Sequence, residues 1–534
     1  MRLKRFIEPR LDAPLPLWMI YPVIFAALYA SHYTLLSLPY YWDEAGYYIP
    51  AAWDFFRTGS LIPLTTLTNA HPPLPSIYLA LWWKASGFSP EVTREAVLMV
   101  AALGLLAVWR LAMRLVDVPA VAFWTVLLTG LYPIWFAQSS LAHADIFAAA
   151  CTLWGLVYSL PERDRKPWAM LWFSLAALCK ETAIIIPLTL AVSSLVEALR
   201  AHSAARRRFL RETAWLTACV VPLAGWYAWH YAKTGFLFGN PEFLRYNAEA
   251  NLSPVRFLAA FGHRILHLTM HMNLFVPVMI ALAALLLVPQ FDAQGQPRES
   301  IGLLAQRRII LLILVNAVLF SVLGGALLTR YLLPMYPLVL LIAVTTFYRR
   351  VPYWHAVAMF SAAAFLVALF VNPPYGFAPE DNLAYAHEVR MQMAGIAELE
   401  RRYPGATVLT AWPVSDELTR PELGYVKAPW DVVKIEDFTP AQIAIAAAEP
   451  EKYSAALVFS TKYNPPSPLR LGAWSDALEE KFFGSHYDMP PELIAQELGG
   501  TMVWHRGDDG MWIALIRFDR QVEARLVALH AAGR

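Results

Sequence analysis

The chain is dominated by apolar segments long enough to cross a lipid bilayer, which needs roughly 20 residues per helical span. Nine such segments occupy about 17–39, 95–116, 119–138, 144–160, 213–232, 264–290, 309–328, 332–348 and 353–373. A tenth apolar stretch, 168–199, is interrupted by Lys180 and Glu181 and reads as two short helices with the charged pair at their junction. The expectation is a polytopic α-helical membrane protein with about 11 transmembrane helices. Composition agrees: 58% of the residues are hydrophobic and only 16% charged, against about 25% charged in soluble domains. Cys151, Cys179 and Cys219 all lie in apolar runs and read as small buried hydrophobes, not as a disulfide or zinc framework. The basic start MRLKRFIEPR precedes a long apolar run without a small-residue cleavage pattern, so the first span is read as retained.

The segment 73–87, PLPSIYLALWWKASG, is apolar but short. Short cytoplasmic loops carry an excess of Lys and Arg, and this rule decides its placement. The basic clusters are MRLKR, Arg110 with Arg114, RDRK at 163–166, ARRRFLR at 205–211, Arg307 with Arg308, and Arg349 with Arg350. All of them fall on the cytoplasmic side when 73–87 lies in the membrane interface, and most leave it when 73–87 spans. With an interfacial 73–87, Asp43 and Glu44, His71, Asp145, Lys180 and Glu181, the loop 233–262, and Arg330 with Tyr331 collect on the opposite, external face. Residues 1–374 then form a membrane domain whose first external loop runs over about 40–94. Residues 375–534 form an external soluble α/β domain. Its candidate strands are 406–413, 454–461, 501–506 and 511–518, with an amphipathic helix near 383–403.

Several motifs on the external face carry chemistry. YYWDEAGYY, residues 40–48, surrounds two adjacent acids with five aromatic rings, among them Tyr47. Partial desolvation of that kind raises a carboxylate towards the working range of a general base. In TNAHPPLP (68–75) two prolines directly after His71 fix the backbone and hold it at the mouth of the interfacial helix. Asp145 stands at the start of a span, either as a helix cap or as a second site carboxylate. Arg330 and Tyr331, in LLTRYLLP, suit a phosphate at headgroup depth, although a snorkelling Arg beside an interfacial Tyr has the same look. The loop 238–254 adds Arg245, Tyr246 and Glu249. His263, His267 and His271 stripe one helix face, but the first and last are two turns, about 11 Å, apart, so a polar cavity lining is a better reading than a metal site. These motifs require no cofactor; a divalent cation between Asp43 and Asp145 is the one metal reading they leave open.

The series DE after the first span, HPPL at an interfacial helix, S-x-x-x-x-x-D, KET and RYLLP resembles the GT-C membrane glycosyltransferases. Within that class it is similar to the branch holding protein O-mannosyltransferases and the bacterial lipid A aminoarabinose transferases. The resemblance covers about residues 15–373. It implies inverting transfer of a single sugar from a polyprenyl (undecaprenyl-type) monophosphate to a lipid, glycan or protein acceptor. It places the enzyme in the bacterial inner membrane, with the site and C-terminal domain periplasmic. It implies Asp43 as base with Glu44 in support, Asp145 as the second acid, and His71, Arg330, Tyr331 and, more weakly, Arg245 as donor-phosphate ligands. Lys180, Glu181, Tyr246, Tyr47 and His267 complete a substrate pocket. HPPL stands where the aminoarabinose transferases carry KPPL, which favours an ordinary hexose. The rival readings are an oligosaccharyltransferase or ligase using a lipid-diphosphate glycan, and a lipid transporter or flippase; the latter is disfavoured because no internal repeat is present and the charges gather at one rim.

Overall fold

The structure, a computed structural model, describes residues 16–160, 166–241, 253–289, 298–323, 325–469 and 472–518. The N-terminal part runs α1 (Leu17–His32), α2 (Ile49–Thr58), α3 (Leu74–Ser86), α4 (Pro90–Leu115), α5 (Pro119–Leu131), α6 (Pro133–Gln138), α7 (Ala144–Ser159), α8 (Lys166–Cys179), α9 (Ile185–Arg200), α10 (Ser203–Ala218) and α11 (Val220–Thr234). It continues with α12 (Pro254–Thr269), α13 (Phe275–Leu287), α14 (Leu303–Val322), α15 (Tyr336–Arg350) and α16 (Trp354–Phe370). Among the described residues three helical segments are long and apolar enough to cross a membrane: Pro90–Leu115, Glu181–Arg200 and Leu303–Val322. The bent pair α12–α13 is a fourth, and several apolar helices are shorter.

The central pillar is α4, which packs between α1, α3, α5 and α7. Its start is written in the sequence. Ser89 caps it by accepting from the amide of Val92, and Pro90 takes the first helical position, where its missing N–H costs nothing. Small residues let the pillar and its neighbours close up. A Cβ on Gly104 would meet the Trp135 ring at 3.0 Å, and one on Gly155 of α7 would lie 2.4 Å from the Phe173 ring of α8.

The charged pair does divide the 168–199 stretch. Helix α8 ends at Cys179, Lys180 has extended backbone (φ −149°, ψ 123°), and one 3-10 turn, Glu181–Ile184, leads into α9. A continuous helix would point a charged side chain into lipid; the break turns both charges towards partners inside the protein. By contrast, the expected span 264–290 is not one helix. It bends by 104° between α12 and α13. Met272 (φ 48°) and Asn273 (φ 62°) adopt left-handed conformations that cannot continue a helix. Tertiary bonds hold the break: His271 bonds to Asp381 (2.9 Å), and the Asn273 amide donates to the carbonyl of Ala364 (2.9 Å).

The C-terminal part opens on the turn Pro379–Asp381 and α17 (Ala384–Arg402). It then builds β1 (Val408–Ala411), α18 (Val414–Thr419), β2 (Val432–Ile435), α19 (Pro440–Ala447), β3 (Ala455–Phe459), α20 (Ala473–Phe483), α21 (Pro491–Glu497), β4 (Thr501–Asp508) and β5 (Met511–Arg517). The sheet order is β2-β1-β3-β5-β4, parallel across β2, β1 and β3 and antiparallel thereafter. Four of these strands match the expected segments. The edge strand β2 was not expected, since four half-exposed residues carry no alternation to read. This part packs on the first loop: Trp412 meets Trp42 edge-on at 4.7 Å, the Tyr41 hydroxyl donates to Glu388 (2.9 Å), and the Tyr40 amide donates to the carbonyl of Leu423 (3.2 Å).

Gly155→Ala is expected to push α7 and α8 apart and lower stability by about 1–3 kcal/mol. Thermal unfolding of the detergent-solubilised protein checks this, and shrinking Phe173 to Leu in the same chain should recover part of the loss.

Candidate active site

The aromatic segment after α1 folds as a sharp turn followed by a wide helical turn. Trp42 has a left-handed backbone (φ 48°), and Glu44–Tyr48 form one π-helical turn leading into α2. This geometry points the two adjacent acids in different directions. Glu44 is fully buried. It accepts two bonds from the guanidinium of Arg94 (2.6 and 3.0 Å) and one each from the amides of Tyr41 (2.9 Å) and Ala142 (2.6 Å). Arg94 also donates to the carbonyls of Pro39 (2.9 Å) and Ser140 (2.5 Å). Glu44 is therefore an internal clamp between the 38–44 and 140–142 segments, with no oxygen left for a substrate. This corrects its expected place beside the base.

Asp43 leaves the turn on the other side, with 36% of its side chain exposed, and accepts from Nη2 of Arg330. Arg330 is the centre of the site. It lies on the 3-10 turn Thr329–Leu332 and is 2% exposed. Its Nη1 donates to Glu380, and its Nε lies 3.4 Å from Asp145. The other oxygen of Asp145 accepts from Lys180 Nζ (2.6 Å), and that ammonium sits 4.1 Å from the centre of the Tyr331 ring. His143 stands 3.4 Å from Arg330 and 3.7 Å from Glu380.

Beside this cluster, Glu181 bonds to His71 (3.0 Å), and Tyr47 and Tyr48 set their rings 5.5 and 6.0 Å from the imidazole. Two clefts are lined from neighbouring positions, Ala144 and Cys179 in one and Asp145 and Lys180 in the other. The first is lined by Tyr47, Tyr48, Phe55, Thr68, His71 and Cys179 among others. The second is lined by Asp145, Lys180, Asn316, Phe320, Arg330 and Tyr331 among others.

Of the residues expected at the site, Asp43, His71, Asp145, Lys180, Glu181, Arg330, Tyr331 and Tyr47 come together. His267 does not: it lines neither cleft and lies beside His271, whose ring is 5.3 Å away. Arg245, Tyr246 and Glu249 lie outside the described residues. A divalent cation between Asp43 and Asp145, the metal reading the sequence leaves open, does not fit this arrangement, because the space between them holds the Arg330 guanidinium and Lys180 takes the remaining face of Asp145. A dication there would meet two positive charges.

Sequence reading missed Arg94, His143, Glu380 and Asp381. Arg94 had one signal: it sits at the external start of a span, where the positive-inside rule disfavours it. Glu380 and Asp381 stood in the linker after the last span, where acids are ordinary. Burial pushes the Glu380 carboxyl up to about 8 even though Arg330 opposes the shift.

Residues 70–229 match the family model described as dolichyl-phosphate-mannose-protein mannosyltransferase. That stretch contains His71, Asp145, Lys180 and Glu181 and ends before Arg330. The chain shares its fold with ArnT from Cupriavidus metallidurans. The crystal structure of that protein bound to undecaprenyl phosphate aligns with a TM-score of 0.53 at 15% identity, over 93% of this chain and 97% of that one. Its apo crystal structure aligns with 0.51 at 14% identity, over 94% and 98%. No curated protein matches the sequence. The architecture is thus a largely helical, multi-pass membrane protein of the GT-C type with a C-terminal sheet.

Arg94→Met leaves Glu44 as an uncompensated buried charge, a change that costs about 3–5 kcal/mol. The variant is expected to fold poorly, and adding Glu44→Gln should recover much of the loss. Melting temperature and monodisperse yield after solubilisation are the measurements.

Proposed function

We propose that the chain is an inverting glycosyltransferase that moves one sugar from a polyprenyl monophosphate carrier, of the undecaprenyl type, to an acceptor on the non-cytoplasmic face of the membrane. One observation carries the reading: a partly exposed carboxylate, Asp43, is held by a buried guanidinium, Arg330, which lines a charged cleft with Asp145, Lys180 and Tyr331. The match to the mannosyltransferase model and the shared fold with a protein crystallised with undecaprenyl phosphate support the donor class.

Asp43 is the general base. It takes the proton of the acceptor hydroxyl as that oxygen attacks the anomeric carbon, and the bond from that carbon to the phosphate oxygen breaks on the opposite face. The electron pair leaves with the polyprenyl phosphate, and the configuration at the anomeric carbon inverts. The leaving phosphate needs little protonation but gains charge in a dry site, where fixed cations act strongly. Arg330 was expected to meet that phosphate. Its three nitrogens instead face Asp43, Glu380 and Asp145, so we assign it to orienting Asp43 and assign the phosphate to Lys180 and His71. Tyr331, under the Lys180 ammonium, walls the phosphate side. Tyr47 and Tyr48 present ring faces and hydroxyls to the sugar.

The finer topology belongs to the same reading. Eleven crossings are α1, α4, α5, α7, α8, α9, α10 with α11, α13, α14, α15 and α16, with α3 in the interface. The C-terminal part then lies on the external side, periplasmic in a bacterial inner membrane.

Asp43→Asn is expected to cut transfer from a labelled polyprenyl-phosphate sugar by about 100-fold or more, in the range of lost general-base catalysis, while undecaprenyl phosphate still binds. Full activity in that variant contradicts the assignment.

A further inference from the structure

Glu380 belongs to the Arg330 cluster, and the transfer assigns it no task. It sits on the turn Pro379–Asp381, just after the last apolar helix, and is 3% exposed. Two successive acids of this turn grip two successive residues of another. Asp381 accepts from the hydroxyl of Thr329, while Glu380 accepts from the guanidinium of Arg330. The turn is itself braced. Gln138 donates to the carbonyl of Glu380 (3.4 Å), and His271 holds Asp381 (2.9 Å) while its other nitrogen meets the Tyr375 hydroxyl (3.0 Å).

The charged and titratable groups around Glu380 are Arg330 and His143 in contact, and Asp43, Asp145 and Asp381 further out. Arg330 and Lys180 supply two positive charges to the three carboxylates they contact, Asp43, Asp145 and Glu380, while Asp381 pairs with His271 and stands outside this count. One negative charge is in excess, and a buried uncompensated charge is costly. Glu380 is the group best placed to be neutral. Asp43 is partly solvated and Asp145 is shared by two cations, whereas Glu380 is enclosed and its Oε1 has no hydrogen-bond partner.

We propose that Glu380 is a positioning residue for Asp43, acting through Arg330: in its neutral form it fixes Nη1 of the guanidinium so that Nη2 is presented to Asp43, and it leaves the positive charge with Asp43 and Asp145. The proposal rests on the transferase reading above and assigns the C-terminal segment a part in it. The sign of the pH effect follows. The carboxyl, raised by burial to about 8, is protonated at neutral pH. As pH rises through that value it ionises, competes for Arg330 and draws the guanidinium from the base, so turnover falls on the alkaline side.

The test uses the full-length protein in nanodiscs with radiolabelled polyprenyl-phosphate mannose, following loss of the lipid-linked sugar across the neutral to alkaline range. E380A is expected to lower kcat by about ten-fold or more with the donor KM changed less than about three-fold, the signature of an interaction used in the transition state. E380Q should recover most of that loss and, with no proton to release, keep its rate where the native enzyme declines. Native kcat in E380A, no rescue by E380Q, or the same alkaline fall in E380Q each overturns the proposal. Infrared difference spectroscopy adds a readout that needs no turnover. The carbonyl stretch of a protonated buried carboxyl should be present at neutral pH, vanish on alkaline titration and be missing in E380Q. If that band titrates but the native protein consumes no lipid-linked sugar, the transferase reading fails while the proton on Glu380 stands. If the band is absent at neutral pH, the positioning proposal fails on its own.

Discussion

The site depends on a single guanidinium placed among three carboxylates. Arg330 reaches Asp43 from the first loop, Asp145 from the start of α7 and Glu380 from the linker to the C-terminal part. Removing that guanidinium would leave the carboxylates without their shared cation in a low-dielectric interior. Three distant stretches of chain are thereby fixed to one point. Lys180 extends the network on the membrane side by closing the second face of Asp145. The helix break at Lys180–Glu181 is what frees that ammonium to do so.

The second buried pair, Glu44 with Arg94, has a different task. It seals the turn carrying Asp43 against the segment carrying His143 and Asp145, using both carboxylate oxygens and two backbone amides. Adjacent acids thus divide the work between them: one is fully buried and fixes the loop, the other is partly solvated and held by Arg330. The C-terminal part joins in from behind, with Trp412 against Trp42, Glu388 under the Tyr41 hydroxyl, and a Cβ on Gly46 only 3.0 Å from the Trp412 ring. The turn carrying Asp43 is therefore set by both halves of the chain, and residue 374 divides the chain without dividing the candidate site.

Much of this was legible in residues alone. Apolar run lengths located most helices, Lys180 and Glu181 marked their break, and four strands showed as β-branched and apolar runs. The distribution of basic residues gathered Asp43, His71, Asp145, Lys180 and Arg330 on one face before any coordinates. What escaped was pairing. No local pattern says that Glu44 belongs to Arg94, 50 positions away, or that a linker acid reaches Arg330. The 104° bend at His271 was equally hidden, because the bonds that hold Met272 and Asn273 out of the helix come from Asp381 and Ala364. The role of Arg330 changed for the same reason: an Arg at headgroup depth resembles a phosphate ligand until the carboxylates around it are known.

The most direct measurement is a cryo-EM structure of the full chain with undecaprenyl phosphate bound. The account requires the phosphate within hydrogen-bond reach of Lys180 and His71, with Asp43 still held by Arg330. A phosphate seated on Arg330 in place of Asp43 would contradict it, for the guanidinium would then be a donor ligand and Asp43 would lose the group that orients it.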